Sequence, residues 1–387
     1  LNSDEESPGP SQNLNRVVEM SAKLDPWGHY AIEDYRKLLE EFGISPVDKI
    51  LGLLPHKHKY FERLVIFGHR DFDVWLEALK RGEKVAVLTG FMPSGRPHLG
   101  TAMVYEELRF LQSLGAHIKI AIADAEAYIV RREDRSEVIR RGMEFVAHSI
   151  AWGINPDNAE FYYQTAMDSE YYRLIQLFSR KITMAEMEAI YGDINPGKIM
   201  AALTQSSDIL HLQLDKYGGY KYVVVPVGAD QDPHLRLTRD IADRFEQELG
   251  LRRPSSIYHK LLRGLDGNKM SKSRPEYAIH LDDDPEIAEK KLANALTGGR
   301  ATAEEQRRLG GEPWKCSIFE LYVYHLIDDE KELKERYDEC VNGKILCGQC
   351  KRIAAEKLRK LLIEHQKRFK EVIASGIVEK ILKKPSF

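Results

Sequence analysis

Two stretches of the sequence carry residues whose types and spacing suit phosphate chemistry. In PSGRPHLGT, Pro93–Thr101, a His and a Gly stand where an apolar run gives way to helical periodicity. A helix start offers unpaired N–H groups and the positive end of the helix dipole to a phosphate, and Gly100 lets a flat base approach the backbone with no Cβ in the way. His98 can donate to phosphate oxygens as negative charge develops. Taken alone, a His beside a Gly at a helix start reads as a cap. In GLDGNKMSKS, Gly264–Ser273, two glycines make a mobile turn, and Lys269 and Lys272, flanked by hydroxyls, present compact charges to a triphosphate or a leaving pyrophosphate. Taken alone, that run reads as a solvated loop. The third group is the cysteines, which crowd late in the chain as Cys316-x23-Cys340-x6-Cys347-x2-Cys350. Four thiolates suit Zn2+ or an iron–sulfur cluster; reduced core thiols and disulfides are the other two readings.

The elements that must position these groups are legible around them. KVAVLT, Lys84–Thr89, is a β-branched apolar run of the kind buried on both faces of a parallel sheet. A Pro/Gly-rich turn follows, then helical spacing over His98–Leu114 with Gly115 as its stop, then a second buried-type strand at Ile118–Ala123. Strand, helix, strand is the unit of a doubly wound nucleotide-binding fold. The pattern recurs where YKYVVVPV, Tyr220–Val227, runs into Gly228 and a helix from about Pro233 to Leu249. The expected fold is therefore α/β: a Rossmann-type, doubly wound parallel-sheet catalytic domain over 81–295, with a helical dimerisation insertion at about 135–215. A polar arm at 1–20 is too poor in apolar residues to order itself, 21–80 reads as an N-terminal extension, and 296–387, almost without strand signal, as an all-α C-terminal domain.

With these residues in place, the chain resembles the class I aminoacyl-tRNA synthetases, whose signatures are the HIGH and KMSKS motifs. His98, Leu99 and Gly100 match HIGH with Thr101 in place of its last His, and Lys269–Ser273 match KMSKS in full. GADQ, Gly228–Gln231, is similar to the GxDQ motif shared by the tyrosine and tryptophan enzymes. DPWG at Asp25–Gly28, the DQDP and TRD elements within Ala229–Ala242, TGGRATAEEQRRLGG at Thr297–Gly311, EHQ at Glu364–Gln366 and the closing PSF resemble the tryptophan enzymes of the archaeal and eukaryotic type. The resemblance implies ATP and Mg2+ as cofactors, L-tryptophan and tRNA(Trp) as partners, a homodimer, and anticodon binding by the C-terminal domain. It implies catalysis by His98, Lys269 and Lys272, and ATP contacts from Gly90, Phe91, Pro93, His98, Gly100, Thr101, Gly228, Asp230, Met270, Ser271 and Ser273. Some bacterial tryptophan enzymes also carry a near-identical cysteine spacing with an iron–sulfur cluster.

The amino-acid pocket implied in the same way is Leu88, Glu126, Gln205, Asp208 and Gln231. Leu88 stands where tyrosine enzymes of the archaeal type place a Tyr against the substrate hydroxyl, which disfavours tyrosine. Eukaryotic tryptophan enzymes also have a Tyr there and a Gln where this chain has Ala121, so the indole N–H needs another acceptor, with Asp208 and Gln205 as candidates. Asp208 is shared with archaeal tyrosine enzymes, which keeps a tyrosyl enzyme as the alternative. A small-molecule nucleotidyltransferase is a more distant one.

Bulk properties set the frame. A chain of 387 residues, 43% hydrophobic and 30% charged, buries a large core and has room for two or three domains. It shows no apolar stretch of about 18 residues and no signal-peptide order at its start, so the expectation is a cytoplasmic protein with no membrane segment. The net charge of −3 argues against wholesale coating of nucleic acid, yet Lys351–Phe387 holds eleven Lys or Arg against four Glu, a local basic surface.

Overall fold

The computed structural model describes residues 35–129 and 131–385. The polar arm at 1–20, DPWG and the last two residues of PSF lie outside the described residues. Seven strands form one sheet: β1 (Ser45–Pro46), β2 (Ile66–Arg70), β3 (Val85–Phe91), β4 (His117–Ile122), β5 (Ala159–Tyr163), β6 (Tyr222–Gly228) and β7 (Ser255–His259), in the order β1-β2-β7-β6-β3-β4-β5. The run from β7 to β5 is parallel throughout, and its order is that of a doubly wound nucleotide-binding sheet. The sheet is not wholly parallel, however: β2 joins β7 and β1 joins β2 in antiparallel fashion. The N-terminal segment thus covers the β7 edge, which would otherwise expose unpaired backbone groups.

Both faces of the sheet are buried, as the near-continuous apolar strands require. Val85 and Val87 of β3, Ile118, Ile120 and Ile122 of β4 and Val224 of β6 enter one core with helices α1 (Leu99–Ser113) and α2 (Arg135–Trp152). Ala86 and Leu88 of β3 with Val223 and Val225 of β6 enter the other, against α3 (Ser169–Ser179), α4 (Pro196–Leu210) and α5 (Asp232–Arg244). The helices between β5 and β6 therefore pack on the second face, while β5 itself, an aromatic strand within the stretch read as mainly helical, completes the sheet edge. Beyond β7 the described residues contain no strand. The long helix α6 (Cys347–Ser375) buries Ala354, Leu358, Leu362 and His365, and its apolar residues are continuous with the α1/α2 core.

α2 can close on the sheet because Gly142 has no side chain. A Cβ there would lie 2.5 Å from Tyr163 Cε1 and 2.9 Å from Ile122 Cγ2. Alanine gains up to about 1 kcal/mol in helix propensity, but overpacking of a filled core costs about 1–3 kcal/mol. Gly142→Ala is therefore expected to destabilise the fold by about 1–2 kcal/mol net, read as a lower denaturant midpoint with an unchanged slope.

Candidate active site

β3 and β6 pair over only three residues, Val85–Val87 against Tyr222–Val224, whereas β3 and β4 stay paired through Phe91 and Ile122. Beyond Val87 and Val224 the two strands separate, and α1 and α5 leave to opposite faces. A crevice outside the carboxyl ends at such a switch point is where open α/β sheets bind ligands.

On the β3 side, Gly90 lies one residue from the strand end, where a Cβ would touch only the Ala121 carbonyl at 3.9 Å, and Phe91 packs against Tyr105 and Phe145. Pro93 is buried, and His98 caps α1 with Nδ1 accepting the Gly100 N–H at 3.1 Å. The cap leaves the other ring nitrogen available: since Nδ1 accepts, the ring proton sits on Nε2, free of that bond. A Cβ at Gly100 would meet His98 Cε1 at 2.9 Å, so this glycine also keeps the imidazole in place. Thr101 Oγ1 accepts the His98 backbone N–H at 3.4 Å, completing the capping box, so the departure from HIGH has a structural use. Burial, then the charges of Lys272, His280 and Lys269, hold the His98 pKa well below its ordinary value, so the ring is neutral.

The KMSKS loop closes over both strand ends. Lys269 Nζ donates to Asp230 Oδ2 at 2.7 Å, and Asp230 lies in the turn after β6. A Cβ at Gly228 would meet Asp230 Oδ1 at 2.5 Å, which explains the glycine. Lys272 Nζ donates to the Met92 carbonyl at 2.7 Å and stands over the Phe145 ring. Met270 is buried, while Ser271 and Ser273 pair hydroxyl to hydroxyl at 2.9 Å near the surface. Burial, with Arg141 adding to it and Glu126 and Glu133 opposing, lowers the Lys272 pKa to about 7.

The expected amino-acid residues lie on the α4 side. Leu88 is buried in the same core as Tyr171 and Leu203. Glu126 sits on a short helix, Asp124–Ile129, after β4, and Gln231 precedes α5. Gln205, half-buried, is one turn from Asp208 on α4. Asp208 is enclosed: Tyr162 and Tyr171 hydroxyls donate to Oδ1 at 2.7 and 2.6 Å, and Gln164 Nε2 donates to Oδ2 at 2.6 Å. Burial raises its pKa to about 6 against those donors. No motif contains Tyr162, Gln164 or Tyr171; the signal that could find the first is the two-residue alternation of β5, on which Glu160 and Tyr162 succeed one another, with Gln164 just beyond the strand in the turn that follows.

The four cysteines line one apolar cavity of about 20 Å3, and none is in a disulfide. Burial raises the thiol pKa of Cys316, that of Cys340 to about 12 and that of Cys350 to about 11. Among the described residues no group of three or more His, Cys, Asp or Glu is arranged to hold a metal ion.

A Rossmann-type crevice framed by a His-Leu-Gly helix start, a GxDQ turn and a KMSKS loop defines the catalytic core of a class I aminoacyl-tRNA synthetase. The family model described as tRNA synthetases class I (W and Y) matches residues 80–363, and the chain belongs to that family. It is 56% identical to a tryptophan–tRNA ligase of Aeropyrum pernix, over 94% of this chain and 99% of that protein. It is 43% identical to one of Methanocaldococcus jannaschii, over 93% and 98%. Among solved structures, tryptophanyl-tRNA synthetase of A. pernix superposes with a TM-score of 0.89 at 56% identity, over 94% of this chain and 100% of that one. That of Giardia lamblia superposes at 0.81 with 25% identity, over 90% and 96%.

Synthetases of this family use ATP, and its phosphates favour a charged lysine. At pH 8 the Lys272 amine is mostly neutral, so ATP binding should draw up a fraction of a proton. Calorimetry in buffers of different ionisation enthalpy should record this uptake, and Lys272→Met should abolish it.

Proposed function

We propose that the chain activates L-tryptophan with ATP and transfers it to tRNA(Trp). The observation that carries this reading is the 56% identity to a tryptophan–tRNA ligase over 94% of the chain, and the crevice chemistry fits it. A tyrosyl enzyme is not favoured, since Leu88 offers no partner to a phenol.

The tryptophan carboxylate attacks the α-phosphate in line, the bond to the β-phosphate bridging oxygen breaks, and pyrophosphate leaves. The ribose hydroxyl at the tRNA terminus then attacks the carbonyl carbon and AMP leaves. No protein nucleophile is required, so catalysis is positioning and charge stabilisation. Gly90, Phe91, Pro93, Gly100 and Thr101 shape the nucleotide's place at the start of α1, and neutral His98 donates from Nε2. Lys269 exchanges Asp230 for the phosphates, releasing that carboxylate, beside Gly228, to the ribose. Met270, Ser271 and Ser273 hold the loop over the triphosphate. Mg2+ would supply further charge neutralisation on the phosphate oxygens. Glu126, Gln205 and Gln231 hold the amino and carboxylate groups.

The helical region 296–387 serves the anticodon. Exposed Arg352, Arg359, Lys360, Lys367, Arg368 and Lys370 of α6 give the basic surface that the chain's net charge of −3 otherwise lacks. The helices between β5 and β6 supply the homodimer contact. No helix among the described residues is long and apolar enough to cross a membrane, and we place the protein in the cytoplasm with its tRNA.

At the cysteines we place an iron–sulfur cluster, with Zn2+ as the alternative, because four thiols line one cavity and thiolates suit either. Glycines make the room, since a Cβ at Gly299 or Gly311 would meet Cys347 or Cys340 sulfur at 2.6 or 2.8 Å. Protein purified without oxygen should contain iron and sulfide and absorb in the visible, and Cys350→Ser should lose both. Metal-free protein would contradict the assignment.

Amino-acid-dependent ATP–pyrophosphate exchange tests the main reading. Exchange is expected with tryptophan and not with tyrosine or phenylalanine, and Lys269→Ala should lower it by about 100- to 1,000-fold, the usual effect of removing one preorganised charge donor. Exchange driven by tyrosine, or an unaffected Lys269→Ala, would contradict it.

A further inference from the structure

Given the tryptophan reading, the indole N–H needs a buried acceptor, and the strands that face α4 do not supply one. Gly90 on β3, Ala121 on β4 and Tyr162 on β5 stand in one register row across the sheet. Strand alternation places them on the same face as Leu88, the face covered by α4. The two smallest residues in the row leave space for a flat ring: a Cβ at Gly90 would meet only the Ala121 carbonyl, at 3.9 Å. Neither Leu88 nor Ala121 has a polar side-chain atom. Asp208, opposite on α4, is already enclosed by two phenols and an amide.

That amide belongs to Gln164, only 4% exposed, in the turn that continues β5. Its Nε2 is committed to Asp208 Oδ2, which fixes the amide orientation, because a flip would set two acceptors against each other. Its backbone is pinned as well: the Gln164 carbonyl accepts Tyr172 Oη–H at 2.7 Å, and Asp124 holds the next residue, Thr165, through its backbone N–H at 3.2 Å. What remains is Gln164 Oε1, buried and without a hydrogen-bond partner. Buried acceptors are seldom left unpaired, and one held this firmly calls for a donor that arrives from outside. The other unpaired acceptor nearby, His211 Nε2, is enclosed edge-on by the rings of Tyr162, Tyr171 and Tyr217.

We infer that Gln164 Oε1 accepts the indole N–H of bound tryptophan, with Asp208 as the positioning residue that orients the amide. The test compares kcat/KM for tryptophan and for benzothienylalanine, in which sulfur replaces the N–H, in pyrophosphate exchange by the full chain. Wild type should prefer tryptophan. Gln164→Met should cut the tryptophan value by about ten- to a hundredfold while leaving the analogue's unchanged, as expected for one buried hydrogen bond. Gln164→Glu, whose protonated carboxyl can donate to Asp208 and still accept, should keep the preference. Equal losses on both substrates in Gln164→Met would mark a merely structural role, and a surviving preference would place the acceptor elsewhere; either overturns the inference. If Gln164→Met does not fold, loss of the preference in Gln164→Glu overturns it and retention upholds it. Wild type active with tryptophan but indifferent to the N–H defeats this inference alone, whereas wild type inactive with tryptophan defeats the tryptophan reading and this inference with it.

Discussion

The parting of β3 and β6 is the constraint on which the rest of the site depends. Pairing between β3 and β6 stops at Val87 and Val224, while Leu88–Phe91 stay paired with β4 and Val225–Gly228 with β7, so two ordered strand ends face each other across a gap. The His98 helix start comes from one end and the Asp230 turn from the other, so neither strand alone makes a site. The KMSKS loop then joins them through one lysine to each side, Lys269 on Asp230 and Lys272 on the Met92 carbonyl.

The same loop sets the electrostatics of the crevice. Burial above all, with the loop's lysines adding to it, makes a protonated His98 unfavourable, and a neutral ring with its proton on Nε2 is the form that can donate without adding charge repulsion. The His98 segment is held from behind as well. Residues 279–281 bond to it backbone to backbone, through Leu99 N–H to Ile279 O and Leu281 N–H to Pro97 O, both at 3.0 Å. Arg96 reaches Asp282 and Asp283, and Gln366 of α6 donates to the carbonyls of Leu281 and Asp283. α6 is thus two contacts from the residue that caps α1. Further along, His148 of α2 and His365 of α6 share a hydrogen bond at 2.8 Å, and burial holds the pKa of each at about 3. Both rings stay neutral, and this buried join needs no counter-ion.

Sequence reading reached the parts of the fold whose burial is nearly complete. β3, β4 and β6 are β-branched runs covered on both faces, and α1 carries its own start and stop signals. β5 and β7 are short, aromatic and partly polar, AEFYY and SSIYH, and their strand character comes from neighbours already in the sheet. β1 and β2 are edge additions whose pairing depends on β7, far away in the chain. For the site, the residues of the His-Leu-Gly, GxDQ and KMSKS segments are contiguous in sequence, so motifs could name them, and the fold brings the three segments to one crevice. The Asp208 network draws on β5, the turn after it, α3 and α4, and no local pattern announces a contact among four elements. The cysteine spacing left metal, disulfide and free-thiol readings open; in the fold all four residues line one cavity and none is in a disulfide.

A crystal structure with tryptophan and a non-hydrolysable ATP analogue would show directly what the crevice holds. The phosphates are expected at the start of α1, the ribose against Asp230, Lys269 moved from that carboxylate to the phosphates, and the indole over Gly90 and Ala121. A nucleotide bound outside the β3/β6 crevice, or bound there with the Lys269–Asp230 pair intact, would contradict this arrangement.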